Sequence, residues 1–100
     1  MMWRHGDVLI ASLPAIPEDA QRQPGSVLAY GEVTGHSHRI ETPAAAELWE
    51  ANGELFLKVI DVTRVIHEEH HPITLPPGTY RVWQQREYVP TPQAFRRVTD

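Results

Sequence analysis

One hundred residues, 41% of them apolar and 22% charged, are enough for a single domain and too few for a second core. No apolar run approaches the ~20 residues that span a bilayer, and the polar opening Arg4-His5-Gly6-Asp7 is unlike a secretory leader, so a soluble cytoplasmic chain with no membrane partner is expected. Cysteine is absent and the net charge is -4, which excludes disulfides and thiolate metal sites and argues against general nucleic-acid binding.

Short apolar stretches punctuated by Pro and Gly predict an all-β fold, either a small β-barrel or a two-layer β-sandwich with at most one or two short helices. Val8–Leu13 reads as the first strand, followed by a loop from Pro14 to Gly25. Extended structure resumes over Ser26–Val33. Asn52-Gly53 suits both positive-φ positions of a type I′ turn and predicts a hairpin between Glu47–Ala51 and Glu54–Val59. The β-branched run Asp61–Ile66 predicts another strand, Pro72–Gly78 a short extended piece ending in a turn, and Thr79–Tyr88 a long closing strand. Two windows have helical character: Thr42–Glu50, where Pro43 precedes three alanines, and Thr91–Val98, with Pro92 near a first helical position. The expected core includes Trp49, Phe56, Tyr80 and Trp83.

Five of the six histidines fall in two windows covering eight positions, His36-Ser37-His38 and His67-Glu68-Glu69-His70-His71; uniform scattering would put roughly half of one there. On a strand His36 and His38 point the same way, about 7 Å apart at Cα, and both can reach one ion. The second window offers His67 with Glu69 and His71 if extended, or His67 with His70 or His71 if coiled. Neutral imidazoles favour a first-row transition metal, so His36, His38, His67 and His70 are the candidate ligands of zinc first, and of iron, nickel or copper as alternatives. Zinc lowers the pKa of bound water toward ~7, and Glu69 or Glu68 is then a candidate catalytic base of a metal-dependent hydrolase acting on a small molecule or peptide. The competing expectation is a non-catalytic module whose histidines form a polar or metal-locked network. His5, alone near the start of the chain, reads as carrying no site, and His71 before Pro72 as outward-facing.

His67-Glu68-Glu69-His70-His71 matches the His-Glu-x-x-His pattern of zinc peptidases, but that motif needs a helix, and the strand-forming run before it and Pro72 after it oppose one. The polar strand Gln84–Tyr88 sets Arg86 and Tyr88 on one face. A solvated edge strand is the first reading of this pattern, with a buried hydrogen-bond network, a homodimer contact through the edge or a substrate-facing wall as the others; if the histidines converge, Arg86 is the candidate for holding an anionic ligand group beside Tyr88.

His36-x-His38 with Glu41 resembles the first cupin motif, although only Arg39 and Ile40 intervene and Pro76-Pro77-Gly78 has no histidine after it. More of the chain resembles a family of small uncharacterised bacterial and phage proteins sharing Gly31-Glu32-Val33-Thr34-Gly35-His36-x-His38, His67-x-Glu69-His70, Pro72-Ile73 and Gly78-x-Tyr80-x-Val82-x-x-Gln85-Arg86-Glu87-Tyr88. This resemblance implies no activity, and it singles out His36, His38, His67, Glu69 and His70.

Overall fold

Apolar alternation builds the strands. In the segment Gly78–Gln84, Tyr80 and Val82 are buried while Arg81 between them is exposed, the period-2 pattern of a sheet with one covered face. The computed structural model describes residues 1–31, 34–88 and 95–97, with side chains up to Gln85. In chain order the strands are β1 (Met2–His5), β2 (Val8–Leu13), β3 (Gln21–Gln23), β4 (Val27–Tyr30), β5 (Ser37–Ile40), β6 (Ala46–Ala51), β7 (Glu54–Val59), β8 (Thr63–Ile66), β9 (Ile73–Leu75), β10 (Gly78–Gln84), β11 (Arg86–Tyr88) and β12 (Phe95–Arg97). A six-stranded antiparallel sheet runs β1-β2-β10-β7-β6-β3, and a four-stranded antiparallel sheet runs β4-β5-β8-β9; β11 pairs with β12.

The two main sheets share one core. Val8, Ile10, Leu48, Leu57, Val59, Tyr80 and Val82 come from the first sheet, and Leu28, Ala29, Ile40, Val65 and Leu75 from the second. Of the two architectures expected, the layered one is found: among the described residues no strand pairing closes either sheet into a barrel. Each sheet buries one face against the other, so non-directional apolar burial holds the layers together. Trp3 packs edge-on against Tyr80 with ring centroids 5.5 Å apart. The Tyr80 hydroxyl donates to the Pro76 carbonyl at 2.5 Å, which satisfies the one polar atom of an otherwise apolar side chain. Tyr80 and Phe56 are buried as expected, whereas Trp49 and Trp83 are half-buried.

The Asn52-Gly53 hairpin forms as read, with φ of 53° and 77° at its two turn residues and Ala51 facing Glu54. Four expectations differ. Within 42–50 only Pro43–Ala45 coils, as a single 3-10 turn, before the chain enters β6. There Leu48 faces Leu57 and Trp49 faces Phe56, and this cross-strand burial overrides the helical preference of the alanines. Inside the expected loop from Pro14 to Gly25, Gln21–Gln23 adds β3 to the sheet edge. The long last strand breaks at Gln85, although the Gln85 amide still donates to the Asp7 carbonyl at 2.7 Å in register with the β2 ladder; β11 then pairs with Phe95–Arg97, a strand inside the window read as helical. Glu32, Val33 and Pro92 lie outside the described residues.

Candidate metal centre

Three chain segments deliver the polar side chains of the interior. Gly6, at φ 64°, opens the two-residue turn between β1 and β2, with His5 facing Val8 across it. A positive φ at the first turn position is the II′ geometry that glycine adopts without strain. The turn holds His5 and Asp7 inward, 2% and 0% exposed. On β5, paired with β4 and β8, His38 is fully buried. After β8 the chain bends over 68–70, the coiled alternative, and brings His67 and His70 together with ring centroids 4.6 Å apart.

His38, His67 and His70 converge: each offers a ring nitrogen, and the three lie within 4.8 Å of one another. A tetrahedral ion with ~2.1 Å bonds sets its donors about 3.4 Å apart, so modest side-chain adjustment closes this group on one ion. The His70 Nε2 is buried and has no hydrogen-bond partner among the described residues. An interior polar atom left in that condition costs about 1–3 kcal/mol, and a cation is one group that offsets the cost.

His5 packs into this cluster, which corrects the reading of it as standing apart from any site. Its ring lies 5.0 Å from His38 and 5.6 Å from His70 between centroids. His5 Nε2 is 3.0 Å from the His71 carbonyl, and a carbonyl only accepts, so that nitrogen carries the proton and donates. His5 Nδ1 is then the acceptor for His38 Nδ1, 2.8 Å away. In neutral His38 the Nε2 lone pair is therefore left facing Asp7 Oδ1 at 3.4 Å. Asp7 Oδ2 accepts from the Gln84 side-chain amide at 3.1 Å. Burial pushes the His5 pKa down to about 4, with the charges of His70 and His67 adding to the effect and the His71 carbonyl opposing it.

His36 and the two glutamates form the rim. His36 groups with His67 and Glu68 rather than with His38 and His70, and its Nδ1 lies 3.1 Å from Glu69 Oε1. Glu68 Oε1 accepts the Ser37 amide at 3.0 Å and Oε2 accepts from Arg39 at 2.9 Å. These contacts, the Ser37 amide first, hold the Glu68 carboxyl below its usual range, which makes Glu68 a weak proton acceptor. Glu69 is exposed, and its amide donates to His67 Nδ1 at 3.0 Å. Arg86 and Tyr88 stand on β11, and their side chains are outside those described. Cavities of about 320, 380 and 350 Å³ open elsewhere, beside Arg81 and Trp83, Ile16 and Trp49, and Tyr30 and Leu48 respectively.

Asp7 and His5 escaped the sequence reading, yet the signal was present. Gly6 between two polar residues, directly before the run Val8-Leu9-Ile10, marks a hairpin tip whose flanking side chains share the fate of the buried strand. No curated protein and no solved structure matches this chain. A family model, the domain of unknown function DUF8820, matches residues 4–85, from just before His5 to just past Gln84, and the chain belongs to that family.

Proposed function

We propose that this domain binds one first-row transition-metal ion, zinc by preference, at the buried imidazoles of His38 and His67 and the half-buried imidazole of His70, and that the ion acts as a structural lock. One observation carries the reading: three histidines from two distant segments, two of them buried and one half-buried, place their nitrogens within 4.8 Å of one another. Imidazole donors select the borderline metals, and zinc adapts to the geometry offered because it has no ligand-field preference of its own. A cysteine-free domain of this size has a small core, and an ion bound only by the folded chain adds its binding energy to folding.

Coordination through His67 Nε2 puts a proton on Nδ1, where the Glu69 amide now donates. Loading therefore turns the Glu69 peptide or flips the ring, and the 67–71 bend responds to the ion. A hydrolytic role would fall to Glu69, since Glu68 is committed to Ser37 and Arg39; the burial of the cluster favours the lock.

Equilibrating the purified protein with zinc, removing excess ion and measuring bound metal tests the reading. About one zinc per chain and a melting temperature that falls with chelator are expected. At free zinc 100-fold above Kd the gain is about 2.7 kcal/mol, or roughly 10–20 °C for a domain of this size. A His38→Ala, His70→Ala double variant with unchanged metal content and melting overturns it.

A further inference from the structure

We infer that His36, His67 and Glu68 form an outer metal position on the rim, and that the ion held by the three inner histidines is loaded through it; the inference rests on the metal-binding reading above. His36, His67 and Glu68 each offer a ligand atom, and these atoms lie within 4.8 Å of one another. Two imidazoles and one carboxylate make the donor set of an open zinc site, whose remaining position water fills. Glu69 brings a second carboxylate to the same place, its Oε1 3.1 Å from His36 Nδ1.

The two groups differ in what solvent reaches. The side chains of His36 and Glu68 are 22% and 32% exposed, whereas His38 is fully buried and the half-buried His70 has its Nε2 turned out of reach of water. A hydrated ion therefore meets the outer group first. Glu68 Oε1 accepts from Ser37 and Oε2 from Arg39; an ionised carboxylate has about four acceptor positions, so these contacts orient the group and leave room for an ion. Glu68 and Glu69 together outweigh the charge of Arg39, and a negative rim draws cations.

His67 is a member of both groups, and this sharing makes a hand-over possible. The ion can stay on His67 while it exchanges His36 and Glu68 for His38 and His70, so it never returns to bulk water between the two positions. Borderline metals prefer imidazole nitrogen to carboxylate oxygen, which drives the exchange inward. A shared ligand also makes the positions exclusive, so one chain carries one ion.

The test is rapid mixing with cobalt(II), whose d–d absorption reports coordination, on wild type, Glu68→Gln, His36→Gln and Glu18→Gln; Glu18 is an exposed carboxylate beside Ile16 and Trp49, away from the rim. In wild type the loading rate should level off as cobalt rises, because the inward exchange is unimolecular. Glu68→Gln and His36→Gln should slow both loading and release into excess chelator by about 10-fold or more, since a lost station raises the barrier in both directions, and Glu18→Gln should load like wild type. Loading at the wild-type rate in both rim variants, equal slowing in Glu18→Gln, or two cobalt ions per wild-type chain overturns the hand-over and leaves the three-histidine reading standing. Failure of wild type to bind cobalt or zinc removes both. If neither rim variant folds, wild type decides: a rate that levels off supports the outer position, and one that stays proportional to cobalt overturns it.

Discussion

Acidifying the metal-free protein withdraws stability through His5, by an amount the structure sets. Burial lowers its pKa from 6.5 to about 4. Below pH 6.5 the unfolded chain takes up a proton at this position, while the folded chain refuses it until about pH 4. The contribution is therefore fully present above pH 6.5 and shrinks as pH falls through the window down to the folded value. Integrating the linkage relation over that window gives a loss of about 2 kcal/mol at pH 5 and about 3 kcal/mol at pH 4. For a domain of this size about 2 kcal/mol lowers the melting temperature by roughly 8–16 °C. The assay is thermal melting at pH 7, 6, 5 and 4 in chelator, on wild type and on His5→Gln, which keeps a donor for the His71 carbonyl and cannot titrate. The difference between the two proteins isolates His5. A variant that loses as much between pH 7 and pH 5 as wild type refutes the assignment of the shift to this ring.

Further predictions bear on fold and site. Leu57→Ala empties a fully buried position in the shared core and should cost about 2–5 kcal/mol, read from urea midpoints at constant slope. Tyr80→Phe removes the bond to the Pro76 carbonyl while keeping the ring against Trp3, and a loss of about 1 kcal/mol is expected in the same assay. Gly53→Ala meets no atom within 4 Å of the new methyl group, so its cost is the left-handed backbone alone, about 1 kcal/mol by thermal melting. Zinc should shift the Glu69 amide in a proton–nitrogen correlation spectrum, since its acceptor on His67 is displaced, and should leave the Gly53 amide at the hairpin tip unmoved.

Local chemistry made some of this molecule legible and long-range pairing concealed the rest. Asn52-Gly53 announces its turn because two successive positive φ angles are demanded within two residues. The alternation through Tyr80 and Val82 likewise declares a buried face. The 42–50 segment misleads because alanine preference is a weak prior against the burial of Leu48 opposite Leu57, a contact visible only after β6 and β7 pair. At the site, His36-x-His38 and the 67–71 group stand out by density, and His38, His67 and His70 do converge. His5 and Asp7 are isolated in sequence and reach the same place through the β1–β2 turn. Their inward orientation depends on β2 lying between β1 and β10, a neighbour relation that no spacing within residues 1–13 encodes.

The pairing of β1 with β2 has a practical side. The Met1 carbonyl accepts the Ser12 amide at 2.8 Å, so the chain enters the sheet at the end remote from the histidines. The run from Met1 to His5 covers roughly 13 Å of strand. A purification handle fused ahead of Met1 would emerge beside Leu13 and point away from His5 and Asp7, so a handle without histidines there permits metal stoichiometry to be counted on the tagged protein.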